Sequence, residues 1–215
     1  MSSAPSPNLP SAYGPKETAL LLLDYHNIIL GTISDADAKE KLITSTQKLL
    51  AAARASGAPV VHCLIRVDAD PAPTSKLTER WATGFKPALA ADPALGRQMG
   101  AVAGRREAGA REYFVDRVPG RVSALKSEGV LELLRAELGV KSLVLCGVVS
   151  SGCVLSTARE APDEGFVATV VDDACWDREP EVHDLVMRKV LPMTAHVASL
   201  DEAVGYLGGA GEVKN

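Results

Sequence analysis

The chain has 215 residues, of which 47% are hydrophobic and 23% charged, so it can bury a substantial core and its length suits one α/β domain. A net charge of −4 and the lack of any Lys/Arg-rich run argue against a nucleic-acid or anionic-membrane partner, and leave a small neutral or cationic ligand open. No apolar run is long enough to cross a bilayer. We therefore expect a soluble protein. The four cysteines are far apart and form no CxxC pair, which predicts a reducing, cytoplasmic location.

The first 16 residues are rich in Ser and Pro without a basic start or an apolar stretch, which predicts a flexible arm and no signal peptide. Residues 17–208 are the predicted domain, and 209–215 a tail. Within the domain, apolar runs typical of buried strands alternate with helical segments, as in right-handed βαβ units. We predict an α/β fold with a mostly parallel six-stranded sheet in the common order 3-2-1-4-5-6. The predicted strands are 18–24, 58–65, 112–115, 142–146, 166–171 and 195–199, and the predicted helices are 36–55, 125–138 and one that begins at 201.

Residues 67–111 do not follow this alternation. They contain Trp81, Phe85 and a stretch rich in Gly, Arg and Ala. Connections of this length in compact domains tend to be lids or binding walls, although disorder fits the sequence about as well. Ligands of open parallel sheets bind beyond the carboxyl ends of the strands, so we expect the chemistry there.

The segment GVVSSGCVLSTAR, from Gly147 to Arg159, places Cys153 where the fourth strand passes into a helix. The unpaired N–H groups and the positive dipole end of a first helical turn favour thiolate over thiol. The same amides could receive the charge that develops on a substrate carbonyl oxygen. The alternative is an inert packed cysteine, because cysteine is among the most buried residue types.

Asp24 closes the first strand in LLLLDYHN, at the edge where a core strand emerges. A strand-end aspartate can simply cap nearby backbone amides. If the first and fourth strands are neighbours, however, Asp24 and Cys153 face the same crevice. The negative charge of a carboxylate there raises the pKa of a nearby thiol, but the same carboxylate can accept the proton of the thiol. We therefore expect a cation to balance the site.

Three segments, LLLLDYHNIIL, RVSAL and GVVSSGCVLSTAR, resemble motifs of the isochorismatase-like cysteine hydrolase superfamily, in the order in which that family has them. The resemblance spans most of the chain and implies a three-layer fold, α/β/α, around a parallel sheet. It implies a catalytic Asp–Lys–Cys set, in which Asp24 takes the aspartate position and Cys153 that of the nucleophile. It also implies a non-proline cis peptide between Val148 and Val149, which would turn the Val149 amide toward the oxyanion site of the Cys153 amide.

The motif neighbours are candidates for binding substrate or oxyanion: Ser150, Tyr25 and Asn27. The pair Tyr25-His26 stands where relatives in this family commonly carry a sulfur or amide side chain, so His26 could line the pocket or titrate near neutral pH. A packed or solvated histidine is the simpler alternative.

The lysine of the implied set has no counterpart. In the family it lies four residues before the Ser of the Ser-Ala pair, and counting back from Ser123 gives Pro119. The nearby cations are Arg117, Arg121 and Lys126, of which we assign the catalytic position to Arg121, on a segment expected to border the crevice. Arginine supplies charge but does not transfer protons, and the alternative is a solvated loop arginine.

The leading hypothesis is a metal-independent cysteine hydrolase that cleaves an amide-type C–N bond of a small molecule through a thioester acyl-enzyme. No cofactor is expected, because the four histidines have no metal-ligand spacing and no nucleotide-binding glycine motif is present. The resemblance implies a homodimer or homotetramer. Two alternatives stay open: a vinyl ether hydrolase that uses Asp24 without the thiol, and a binding or interaction protein that has lost catalysis.

Overall fold

The computed structural model describes residues 5–208. One six-stranded, all-parallel sheet has the order β3-β2-β1-β4-β5-β6, so the predicted fold class and strand order are confirmed. This order pairs the first strand with the fourth, and the carboxyl ends of the two strands meet. The strands are β1 (Thr18–Leu23), β2 (Val60–Ile65), β3 (Glu112–Arg117), β4 (Ser142–Val148), β5 (Val167–Trp176) and β6 (His196–Ala198).

Helices cover both faces of the sheet. The α-helices are α1 (Asn27–Leu30), α2 (Ala36–Ser56), α3 (Thr78–Arg80), α4 (Lys86–Ala91), α5 (Val130–Glu132), α6 (Leu155–Asp163), α7 (Pro180–Leu185) and α8 (Leu200–Tyr206). Single π-helical turns are Trp81–Phe85, Leu133–Glu137, Ser150–Val154 and Val186–Val190, and short 3-10 turns are Pro10–Ala12, Pro93–Gly96, Gly100–Val102, Ala124–Lys126 and Leu191–Met193.

The side chains of β1 divide between the two hydrophobic cores. Leu21 and Leu23 pack with residues of α6, whereas Leu20 and Leu22 pack with α2 and α8 on the other face. Successive side chains of a strand point to opposite faces. Because both faces are covered, every residue of β1 is buried, which explains its unbroken apolar run.

Two predicted elements differ from the structure. The helix predicted at 125–138 is interrupted, because Gly129 has a left-handed φ of 70° and separates the turn at Ala124–Lys126 from α5. Strand β5 continues past residue 171 through two aspartates that the sequence pattern reads as a strand end. Both carboxylates have partners: Asp173 accepts from the Leu200 N–H at 3.0 Å, and Asp172 accepts from a histidine described below.

The long connection 67–111 consists of short helices and turns, and two buried histidines fasten it to the sheet. His26 Nδ1 donates to the Gly96 carbonyl at 2.9 Å, and the Ile65 N–H donates to His26 Nε2 at 2.9 Å. Gln98 Nε2 donates to His62 Nδ1 at 2.7 Å. The connection therefore forms an ordered wall at one end of the sheet.

Near the amino terminus, Pro10 is buried, and His196 Nε2 donates to the Asn8 carbonyl at 2.8 Å. The predicted tail, 209–215, and the first four residues of the predicted arm lie outside the described residues. None of the helices between residues 5 and 208 is both long and apolar enough to span a membrane.

Candidate active site

A cavity of about 920 Å³ lies at the carboxyl ends of the central strands, where the sequence analysis expects the chemistry. Asp24 and Cys153 both line it, as does Arg117 from the end of β3. Part of its wall comes from the connection 67–111, including Trp81 and Phe85. The topology therefore assembles the cavity from strand ends and one long loop.

Asp24, the first residue after β1, has a left-handed backbone with φ 59°. A non-glycine residue in this region is uncommon and its strain is typical of functional sites. Its backbone is held on both sides: its N–H donates to the Cys63 carbonyl at 3.0 Å, and its carbonyl accepts from the His26 N–H at 2.7 Å. The sharp turn directs the carboxylate into the interior, where the side chain is only 5% exposed.

Gly147 allows β4 to approach β1 closely, just before the turn that carries Cys153. A Cβ atom at this position would lie 2.4 Å from the Leu23 carbonyl oxygen, far inside van der Waals contact. Only glycine fits, and the close approach keeps the ends of the two strands together.

Arg117 forms a buried, bidentate ion pair with Asp24. Its Nη1 donates to Oδ1 at 2.8 Å and its Nη2 to Oδ2 at 2.6 Å. Its Nε donates to the Arg121 carbonyl at 2.8 Å, so three nitrogens of the guanidinium are engaged. Burial opposes the charge on Arg117, but the Asp24 carboxylate outweighs it and the pKa of Arg117 is raised. This fork geometry is the strong form of a charge-assisted pair.

Arg121, the predicted catalytic cation, is exposed and lines the cavity, but the hydrogen bond to the Arg117 side chain comes from its backbone carbonyl. Lys126 forms an ion pair with Glu160 on α6. The cation that contacts Asp24 is therefore Arg117, which the sequence analysis named only as a neighbour. Arg117 could have been predicted if β3 had been extended beyond the predicted end at residue 115, because the strand ends at Arg117 and places this side chain at the carboxyl edge of the sheet.

Cys153 lies in the π-helical turn Ser150–Val154 and is 4% exposed. Burial and then the charge of Asp24 raise its pKa to about 12, although Arg117 and the Thr157 hydroxyl act in the opposite direction. The helical turn was expected to lower the pKa of Cys153, but burial outweighs that effect. The group is a thiol at neutral pH, so attack requires a base.

The charges of the site allow that proton transfer without an added desolvation cost. With Cys153 as thiol and Asp24 as carboxylate, the set with Arg117 is neutral, and it stays neutral when the proton moves from sulfur to carboxylate. The fixed cation stabilises either anion, because its charge does not change between the two forms. The Thr157 hydroxyl lies 3.7 Å from Cys153 Sγ, and since its oxygen accepts from the Ala124 N–H at 2.9 Å, its proton is available to the sulfur.

The peptide bond between Val148 and Val149 is cis, as the resemblance implied. Val149 lines the cavity. Its N–H is therefore a candidate donor to a substrate oxygen.

Three motif neighbours lie away from the cavity lining. Tyr25 is fully buried on the α2 face of the sheet, where its hydroxyl lies 2.6 Å from Thr46 Oγ1. Asn27 Nδ2 donates to the Ala94 carbonyl at 2.9 Å and so braces the wall. His26 is buried, and burial lowers its pKa, which fits its role as a neutral tie between strand and wall.

Ser150 belongs to a chain of hydrogen bonds behind the turn that carries Cys153. Its Oγ lies 2.7 Å from His183 Nδ1, and His183 Nε2 lies 2.9 Å from Asp172 Oδ1. In the neutral imidazole, Nε2 carries the proton because a carboxylate only accepts, and Nδ1 then accepts from the Ser150 hydroxyl. A serine hydrolase has a similar triad, but Ser150 is 0% exposed and cannot reach a substrate. The chain instead holds the turn, with Asp177 accepting from the Ser151 N–H at 2.7 Å.

Replacing His183 with alanine leaves the Ser150 hydroxyl buried without its acceptor, a loss of about 1–3 kcal/mol of unfolding free energy. Because the turn carries Cys153, we expect kcat to fall by about tenfold or more with little change in KM. Urea unfolding and steady-state kinetics measure the two effects. His196→Ala, which removes a histidine bonded to the arm, is the control and should leave kcat unchanged. An unaltered kcat in His183→Ala would show that the chain only stabilises the fold.

Comparison with known proteins agrees with this geometry. The model of the Isochorismatase domain matches residues 18–202. The chain belongs to the isochorismatase family. This family of hydrolases includes an uncharacterised isochorismatase family protein of Escherichia coli O157:H7, YecD, which is 28% identical over 207 residues and covers 89% of this chain and 97% of its own length.

Solved structures share the isochorismatase-family fold. A cysteine hydrolase from Pseudomonas syringae pv. phaseolicola has a TM-score of 0.73 at 18% identity, covering 91% of this chain and 94% of its own. N-carbamoylsarcosine amidase from Thermoplasma acidophilum has a TM-score of 0.63 at 23% identity, covering 86% and 97%. Within the described part of this family member, no group of three or more His, Cys, Asp or Glu side chains is placed to hold a metal ion. That it works without a metal stays a prediction.

Proposed function

We propose that this member of the isochorismatase family is a cysteine hydrolase that cleaves an amide-type C–N bond of a small molecule through a thioester acyl-enzyme. The observation that carries the proposal is the convergence of the Cys153 thiol and the Asp24–Arg117 ion pair on one cavity. A nucleophile, a carboxylate base and a fixed cation are the parts that such a reaction needs. The name of the Thermoplasma acidophilum relative denotes amide cleavage on the same fold.

The first half-reaction acylates the thiol. The Asp24 carboxylate takes the proton of Cys153 as sulfur forms a bond to the substrate carbonyl carbon, and the carbonyl electron pair moves to oxygen. The N–H of Val149, together with that of Cys153, stabilises this oxyanion. The oxyanion then re-forms its double bond, the C–N bond breaks, and the Asp24 carboxyl group returns its proton to the leaving nitrogen. A thioester and a free amine or ammonia result.

The second half-reaction hydrolyses the thioester. Asp24 takes a proton from water, whose oxygen attacks the thioester carbon, and the same N–H groups hold the oxyanion. When the C–S bond breaks, the proton on Asp24 passes to sulfur and restores the thiol. Arg117 stays charged throughout and keeps the carboxylate oriented through its fork.

The presence of Arg117 also favours an enzyme over a binding protein that has lost catalysis. The implied lysine is missing, but a cation is in contact with the catalytic carboxylate, so the charge that the set needs is supplied from β3. A site kept only for binding has no need of a buried thiol beside a buried ion pair, whose desolvation is costly.

The test is turnover of a panel of primary amides and N-carbamoyl compounds, with release of ammonia or amine as readout and intact-mass measurement after acid quench. We expect a substrate-dependent mass increase equal to the acyl group, located on Cys153 by peptide mapping. Cys175→Ala is the matched control, since this buried thiol does not line the cavity, and it should keep both signals. Turnover with no adduct, and with full activity in Cys153→Ala, would contradict the covalent route.

A further inference from the structure

The cavity is cationic although the protein is acidic. Four basic residues line it in addition to Arg117: Lys76, Arg80, Arg121 and Arg178. All four are exposed, and none is among the ion pairs of the described residues. The lining contains one carboxylate, Asp24, which Arg117 already neutralises. The formal net charge of the chain is −4, so the excess of basic over acidic side chains in this lining is opposite in sign to the overall charge.

The rest of the lining is largely apolar. The wall from 67–111 contributes Leu77 and an aromatic pair, Trp81 and Phe85, with ring centroids 5.3 Å apart. Ile28 and Ile29 of α1 also line the cavity. A volume of about 920 Å³ is at the upper end of the range for small-molecule sites. The cavity is thus much larger than the amide group alone requires.

These two properties together define a substrate. We propose that the reacting amide belongs to a molecule with an extended apolar body and a negatively charged group, such as a carboxylate, remote from the scissile bond. The apolar body packs on the wall, and the anion meets the exposed cations at the mouth, while the amide reaches Cys153. Asp24 is the one carboxylate of the lining and is already paired, so an anionic ligand would supply the counter-charge to these exposed cations, of which Arg80 also stacks on Phe85. This inference rests on the proposed function and replaces the neutral or cationic ligand that the net charge left open.

The test separates binding from turnover by using Cys153→Ala. Two probes of nearly equal size, 4-(carbamoylmethyl)benzoic acid and its methyl ester, are titrated by calorimetry. We expect the acid to bind at least about tenfold more tightly than the ester in 50 mM salt, and the preference to shrink in 500 mM salt because exposed charges are screened. Equal affinities, or failure of the acid to bind at millimolar concentration, would overturn the inference.

A charge-removal variant locates the effect. In the Cys153→Ala background, glutamine replaces the four cations of the cavity mouth, and the acid should lose its advantage over the ester. The control replaces four exposed cations outside the cavity with glutamine, and the preference should persist: Lys48, Arg111, Arg159 and Lys189. A preference that survives in the first variant would overturn the inference. If the acid binds as expected but wild-type protein turns over neither probe and forms no adduct, the proposed function fails while the substrate inference stands.

Discussion

Cys153→Ala is expected to lower amide turnover by about 10⁴-fold or more, because the covalent route loses its nucleophile while substrate binding stays. The fold should survive, since removal of one buried sulfur atom costs on the order of 1 kcal/mol. The measurement is ammonia release at saturating substrate, with thermal unfolding as the check on the fold. Cys153→Ser should be nearly as inactive, because a carboxylate is too weak a base for a serine hydroxyl without further help.

The opposite pattern would select the other chemistry. Wild-type turnover in Cys153→Ala, combined with loss of activity in Asp24→Asn, would indicate the vinyl ether hydrolase, in which Asp24 acts without the thiol. Under the covalent mechanism both variants are inactive.

Because the pKa of Cys153 is about 12, the reactivity of its thiol should depend strongly on pH. Only the thiolate reacts with iodoacetamide, and below the pKa its fraction rises about tenfold for each pH unit. Labelling of Cys153 should therefore be slower than that of a free thiol at pH 7.5 and should increase steeply toward pH 9. An active enzyme with this site should therefore still be labelled slowly at neutral pH. Slow labelling alone does not distinguish it from a protein that has lost catalysis, whereas substrate turnover does.

Arg117→Met is expected to destabilise the protein by about 3–5 kcal/mol, because it leaves the Asp24 carboxylate buried without its partner. Activity should also be lost, since Asp24 is no longer oriented toward Cys153. The double variant Asp24→Asn/Arg117→Met should regain part of the unfolding free energy, because neither charge then remains unpaired. Urea unfolding of the two single variants and the double variant measures the coupling.

Two further variants make the Arg117 result specific. Arg117→Lys keeps the charge but loses the fork, so it should retain more activity and stability than Arg117→Met. Arg121→Gln removes an exposed side chain and should change the unfolding free energy by less than about 0.5 kcal/mol. A large loss of stability in Arg121→Gln with little effect in Arg117→Met would show that the ion pair is assigned to the wrong arginine.

The sequence was sufficient to predict the sheet order and two of the three groups at the site. Asp24 and Cys153 each follow an apolar run that only a central strand explains, and parallel strands bring their carboxyl ends to one edge. Arg117 could not be found in this way. The last two residues of its strand are polar, so the apolar pattern does not predict that the strand extends to Arg117. Its side chain also reaches Asp24 across the end of β2, and a contact between residues so far apart in sequence leaves no local pattern.

Adjacency in sequence was a poor guide to the lining of the cavity. Tyr25 directly follows Asp24, yet its side chain packs on the opposite face of the sheet, against Thr46 of α2. Ser150 directly follows Val149 but points back to His183. In both cases the backbone turns sharply at the strand end, and the side that each residue faces depends on dihedral angles that a motif does not specify.

The connection 67–111 has a consequence for how this enzyme can acquire new preferences. The groups proposed to react stand at the ends of β1, β3 and β4, whereas the aromatic wall and two of the mouth cations belong to that single stretch of chain. His26, His62 and Asn27 hold this stretch in place, and none of the three lines the cavity. Exchange of the stretch between Arg66 and Arg111, with those contacts retained, is therefore a direct route to redesigned selectivity on an unchanged catalytic base.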